Sequence, residues 1–179
     1  MKKLLLINIC GLVFLLCGAL FCDEPPQYDN VPNIQFVDTD RGERTVVNNN
    51  FVDDIIPIIH FEDGDGDLGL TNENLDTAPY NEGDNGINYF IEVLIKRNNA
   101  FVPLELPFGY SGHFFPLSPD GRIGPLEGDL KYKIRFDERT VSRLIKRGDV
   151  LKFRIRIRDR ELHDSNWVDS DEVVMFVPE

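Results

Sequence analysis

The chain has 179 residues, a formal net charge of −12 and only three cysteines. That length suits one domain able to bury a core without disulfide staples. The acidic balance speaks against a nucleic-acid partner, because phosphate binding calls for a basic surface.

Lys2 and Lys3 precede a run, 4–21, that is apolar apart from Asn8 and closes on Cys22, which is followed by Asp23, Glu24, Pro25 and Pro26. This pattern reads as a bacterial lipoprotein signal, 1–21, whose cleavage leaves Cys22 acylated at the head of the mature chain. Phe21 departs from the small residue expected before such a cysteine, so cleavage after Ala19 or an uncleaved anchor stays open. Cysteine arithmetic favours lipidation. Cys10 and Cys17 lie within the signal, and a lone mature thiol in an oxidising compartment is a liability unless acylation consumes it. The expected location is the bacterial cell envelope, on the outer membrane, with the membrane reached through the lipid anchor. Residues 22–33 are polar and proline-bearing, which suits a flexible spacer.

From 34 to 179 the apolar residues come in short runs broken by Gly, Pro, Asn and Asp, with period two. Strands are predicted at 34–38, 51–62, 87–97, 101–106, 130–137, 150–160 and 171–177. About seven strands so spaced predict an all-β fold, an immunoglobulin-like antiparallel β-sandwich. Within 51–62 the isoleucines are continuous and Pro57 interrupts the ladder, which predicts a bulge or an edge there. Ile87, Tyr89, Ile91, Val93 and Ile95 mark the inner face of a central strand, with Glu92 outside and able to meet an arginine. Ile134 and Phe136 alternate with basic residues, as do Phe153, Ile155 and Ile157. Two such basic faces side by side would repel, so the two strands are expected in different sheets. Between them Val141, Leu144 and Ile145 at helical spacing, with Gly148 beyond, predict a short helical crossover at 138–147.

Charge is unevenly spread: 23–92 holds seventeen Asp and Glu against Arg41 and Arg44, and 131–160 holds twelve Lys and Arg against four acids. Pairing of basic strands with acidic ones is the expected outcome, ahead of a functional basic patch.

Asp63-Gly64-Asp65-Gly66-Asp67 follows directly on the isoleucine strand. Three carboxylates at alternate positions can fold around a hard cation, and Asp63, Asp65 and Asp67 repeat the spacing of the first three EF-hand ligands, which suits Ca2+. Leu68 stands where that loop needs its glycine and Asn74 where it needs its glutamate, so further ligands would have to come from elsewhere, such as Glu62, Asp159 or Asp164. A plain Asp-Gly turn explains the same residues, and both readings stay open.

Residues 57–70, with the strand at 89–96 and the late Arg156-Ile157-Arg158-Asp159-Arg160, resemble uncharacterised envelope lipoproteins of Bacteroidetes-type bacteria, in which an apolar strand runs into an Asp-Gly-Asp-Gly-Asp turn. The resemblance implies an immunoglobulin-like sandwich on a lipid anchor. It supplies no activity and no catalytic residue.

Other chemistry is weakly marked. Ser111 in Gly109-Tyr110-Ser111-Gly112 lacks the strand-turn-helix setting of a nucleophile elbow. His60, His113 and His163 lack paired ligand spacing. Phe101, Phe108, Tyr110, Phe114, Phe115 and Trp167 could stack on a sugar or anchor a protein, or could close one end of the sandwich. The expected function is therefore a non-catalytic binding, adhesive or structural module with an envelope protein or glycan as partner. A carbohydrate or small-ligand binding protein, calcium-dependent or not, is the alternative, and an enzyme stands third.

Overall fold

In a computed structural model, described for residues 26–118 and 123–177, two antiparallel sheets enclose one apolar core. Cys22 and the segment 1–21 expected to be a signal lie outside the described residues. The first sheet is built on β3 (Asn50–Asp63), with β1 (Asn33–Arg41) and β2 (Thr45–Val47) along one side and β6 (Leu126–Lys131) and β7 (Ile134–Asp137) along the other. The second runs β10 (Val173–Val174), β8 (Val150–Ile157), β4 (Tyr89–Arg97), β5 (Ala100–Pro103), with β9 (Val168–Asp169) also on β8. Among the described residues there are also two single-turn helices, α1 (Asn72–Leu75) and α2 (Glu138–Val141).

Alternation makes the core. Leu151, Phe153, Ile155 and Ile157 of β8 are fully buried and face Ile59, Phe61, Ile134 and Phe136 of the other sheet, with the Phe136 and Phe153 ring centres 5.9 Å apart. Burying such side chains contributes about 2 kcal/mol each. β2 meets β3, and β4 meets β5, through two-residue turns, Asn48-Asn49 and Asn98-Asn99, with all four φ angles between 50° and 65°. Asparagine tolerates this left-handed region, and a tight turn of that hand matches the twist of the strands it joins.

Pro57 does not mark an edge. β3 is central in its sheet, and the ladder breaks opposite the proline: β6 ends at Lys131, β7 begins at Ile134, and Tyr132 N donates to Pro57 O at 3.3 Å. The N–H that proline lacks would have pointed to the same side, so the expected single strand at 130–137 is split there. The register of β1 also shifts beside this point, between Phe36 and Asp38. The strand expected at 171–177 forms a ladder only at Val173 and Val174.

The basic strands β7 and β8 stand in different sheets, as their charges require, joined by α2. Val141 and Ile145 are buried in that crossover, but Leu144 is not. Opposite charges neutralise the basic faces: Lys131 pairs with Asp40, Arg135 with Asp54, and Arg154 with Asp169 and, more loosely, with Glu92. The fork of Arg135 holds the buried Asp54 carboxyl below its ordinary pKa, aided by Lys133. A carboxylate so shifted contributes stability above its ordinary pKa, near 4, and loses it as pH falls through the lowered value. In melting curves taken from about pH 7 to about pH 2, Asp54→Asn should therefore lose less stability on acidification than the parent. An identical acid limb in both proteins would refute the linkage.

Candidate metal centre

β3 delivers Asp63 at its last position, pointing inward because the strand alternates. Beyond it the chain must turn sharply, and glycine permits this. Gly66 has φ +70° and a Cβ there would lie 2.3 Å from the Gly124 carbonyl oxygen; Gly69 has φ +99° and a Cβ there would meet the Phe115 backbone at 2.5 Å. The turn is pinned on several sides. Gly64 N donates to Asp29 O at 2.8 Å, Gly124 N to Asp65 O at 2.8 Å and Leu70 N to Phe114 O at 3.0 Å, and Leu68 forms an antiparallel bridge with Asp159.

That bridge decides the site. It brings Asp159, 92 positions from Asp67, to the turn, so that carboxylate oxygens of Asp63, Asp67 and Asp159 lie within 4.8 Å of one another. Asp63 is completely buried and Asp159 is 2% exposed; Asp65 and Asp67 are half-buried. Asp63 Oδ2 accepts from Asp67 N at 3.0 Å, and Asp159 is held at both oxygens by His163, through its main-chain N at 2.7 Å and Nδ1 at 3.0 Å. By contrast the Oδ1 atoms of Asp63, Asp65 and Asp67 are shut off from solvent with no hydrogen-bond partner. A buried polar atom left unpaired costs about 1–3 kcal/mol, more when charged.

Electrostatics register the same crowding. Burial, then the neighbouring Asp65, Asp67 and Asp159, pushes the Asp63 carboxyl up to about 7. Burial, then Asp159 and Asp65, pushes Asp67 up to about 6, against the pull of Arg160. Asp159 is also raised by burial, although His163 opposes it. Chemically, the cluster can take up a hard cation or protons. The Oδ1 atoms of Asp63, Asp65 and Asp67 are closed to solvent, which suits a small ion better than an organic substrate.

Of the other suggested ligands, Glu62 points to the opposite face, where its carboxylate gathers with His60 and Glu127, and Asp164 is taken by Arg156 and Arg158. His60 pairs with Asp129 rather than with the turn. Ser111 accepts from Ile91 N at 2.9 Å, so its hydroxyl extends the β4 edge. The aromatic group divides. Phe114 is buried and Tyr110 packs on Phe136 at 4.6 Å, whereas Phe108, Phe115 and Trp167 are exposed. Trp167 and Phe90 sandwich the Arg156 guanidinium at 4.9 and 4.6 Å. Periodicity did not foretell a cleft of about 390 Å3 between β4 and the following connection, lined by Ile91, Val93, Leu104, Leu106, Phe108 and Tyr110. The aromatic group that includes Phe108 and Tyr110, set among Pro107 and Gly109, was its signal in the sequence.

The chain matches no protein-family model, no curated protein and no solved structure.

Proposed function

We propose that the protein is an envelope-tethered, non-catalytic module: an immunoglobulin-like sandwich carried on an acylated Cys22, presenting its surface to an envelope protein or glycan. The observation that carries this reading is how the chain enters the sandwich. Asn33 pairs with Glu62 and Asp29 O accepts from Gly64 N, so the spacer is fastened at the acidic-turn end. The turns at Asn48-Asn49 and Asn98-Asn99 and the crossover helix α2 lie at the opposite end. A tether at Cys22, eleven residues before Asn33, would hold the domain within about 40 Å of the membrane with that opposite end outward.

The immunoglobulin-like assignment rests on connectivity. The order β10-β8-β4-β5 follows G-F-C-C′, and β1, β3 and β7 take the places of A, B and E. Cys22→Ser should move the protein from the membrane fraction to the soluble one, and mass spectrometry of the mature parent should find acyl chains on Cys22. An unmodified N-terminus at another residue would overturn the tether.

A second reading, small-ligand or carbohydrate binding, is favoured by the cleft beside Tyr110, whose volume falls within the range of ligand pockets and whose apolar floor has Glu92 and Glu105 among its lining carboxylates. Binding of the intact protein to a glycan array, lost on Tyr110→Ala, would favour it over a purely structural module.

A further inference from the structure

We propose that Asp63, Asp67 and Asp159, with Asp65 beside them, form a binding site for one calcium ion that locks the tether end of the sandwich. The inference goes beyond the module reading and does not depend on the lipid anchor. A group of acidic residues alone would carry little, because exposed carboxylates gather on many surfaces without a ligand. Here the decisive atom is Asp63 Oδ1. Its residue is completely buried, its partner oxygen is already satisfied by Asp67 N, and Oδ1 itself has no donor. The groups gathered about it are other carboxylates: ligand oxygens of Asp63, Asp67 and Asp159 lie within 4.8 Å of one another, and Asp65 stands in the same turn. A buried carboxylate among carboxylates needs positive charge at that spot, and a cation seated among them supplies it.

Geometry and donor chemistry select the ion. Oxygens no more than 4.8 Å apart share a centre within about 2.8 Å of each, so a shift of a few tenths of an ångström brings all three to the 2.3–2.6 Å of calcium coordination. The donors are hard oxygens only, which disfavours zinc and copper, whose sites draw on imidazole and thiolate. Magnesium holds several waters at short, near-octahedral distances, and atoms shut off from solvent leave little room for them. His163 is not a ligand in this arrangement. It grips both oxygens of Asp159 and so fixes the direction of that carboxylate, as outer groups do around metal ligands.

The ion would join three parts of the chain. Asp63 ends β3, Asp65 and Asp67 belong to the turn, and Asp159 follows β8 of the other sheet. Through Gly64 the turn holds Asp29 of the spacer, and through Asp65 it holds Gly124. Calcium bound here stiffens the point at which the spacer joins the domain.

The test uses the intact protein with metal alone. Isothermal titration with CaCl2 should find one ion per chain, and calcium at about one hundred times Kd should raise Tm by about 5–10 °C over the chelator-treated protein. Asp63→Asn should abolish both signals. Because it removes a charge from a repelling group, it should fold at least as well as the parent without metal, so loss of the shift will not be confused with misfolding. Asp159→Asn should act likewise. Equal melting of the parent with calcium and with chelator, a full calcium shift in Asp63→Asn, or an equal response to MgCl2 would each overturn the proposal.

Discussion

Asp53→Ala should cost about 3–5 kcal/mol, the size expected when one partner of a buried ion pair is removed. Asp53 is 2% exposed on β3 and accepts from Arg44 Nε at 2.6 Å and Nη2 at 3.0 Å, a two-point grip that fits guanidinium to carboxylate. Its Oδ2 also accepts from Phe176 N at 2.9 Å, where Phe176 is fully buried with φ 54°. Alanine would strand a largely buried guanidinium and an internal N–H together, and neither can turn to water without undocking the last strand's extension. Against a total stability of about 5–15 kcal/mol, this loss unfolds a marginal domain. Urea unfolding should show a lower midpoint with an unchanged slope. Adding Arg44→Met should recover part of the loss, because it removes the orphaned charge. A loss below about 1 kcal/mol would mean that Arg44 finds other partners, with Val177 O, which already accepts from its Nη1, the first candidate.

How far the sequence foretells this molecule depends on the range of the interaction concerned. β4 and β8 are legible because each buries one face, and burial writes period two directly into composition. β2, β9 and β10 are two or three residues long, and their existence is set by register against β3 and β8, which no local pattern records. Pro57 announced a defect but not its place. The proline strand kept its central position and the interruption fell on the partner side, between Lys131 and Ile134. The acidic turn was legible as three alternating carboxylates, and Asp159 stood among several candidate outside ligands. Choosing it over Glu62 and Asp164 required tertiary structure. Strand alternation sends Glu62 outward from Asp63, and Arg156 and Arg158 claim Asp164, while the Leu68–Asp159 bridge brings the fourth carboxylate home.

Phe153→Ala should cost about 3–5 kcal/mol by leaving a cavity between the sheets. Phe153 is fully buried at the middle of β8, beside Phe136 and opposite Val93 of β4, and its main chain is fixed by exchange with Ser170: Phe153 N donates to Ser170 Oγ at 2.9 Å and Ser170 N to Phe153 O at 2.8 Å. With the backbone so held, the strand has little freedom to collapse into the void, which places the cost toward the upper end, and Phe153→Leu should cost distinctly less. This variant also separates the core from the proposed calcium site. Phe153 stands six residues before Asp159, roughly 20 Å along an extended chain. Effects of sites so far apart add. Phe153→Ala should therefore lower Tm by the same amount with chelator and with calcium, leaving the calcium-induced rise intact. In Asp63→Asn the rise itself should vanish while the metal-free protein stays folded. Loss of the calcium rise in Phe153→Ala would instead couple the acidic turn to the whole sandwich, so that the ion's seat would be a property of the packed core rather than of the turn that carries it.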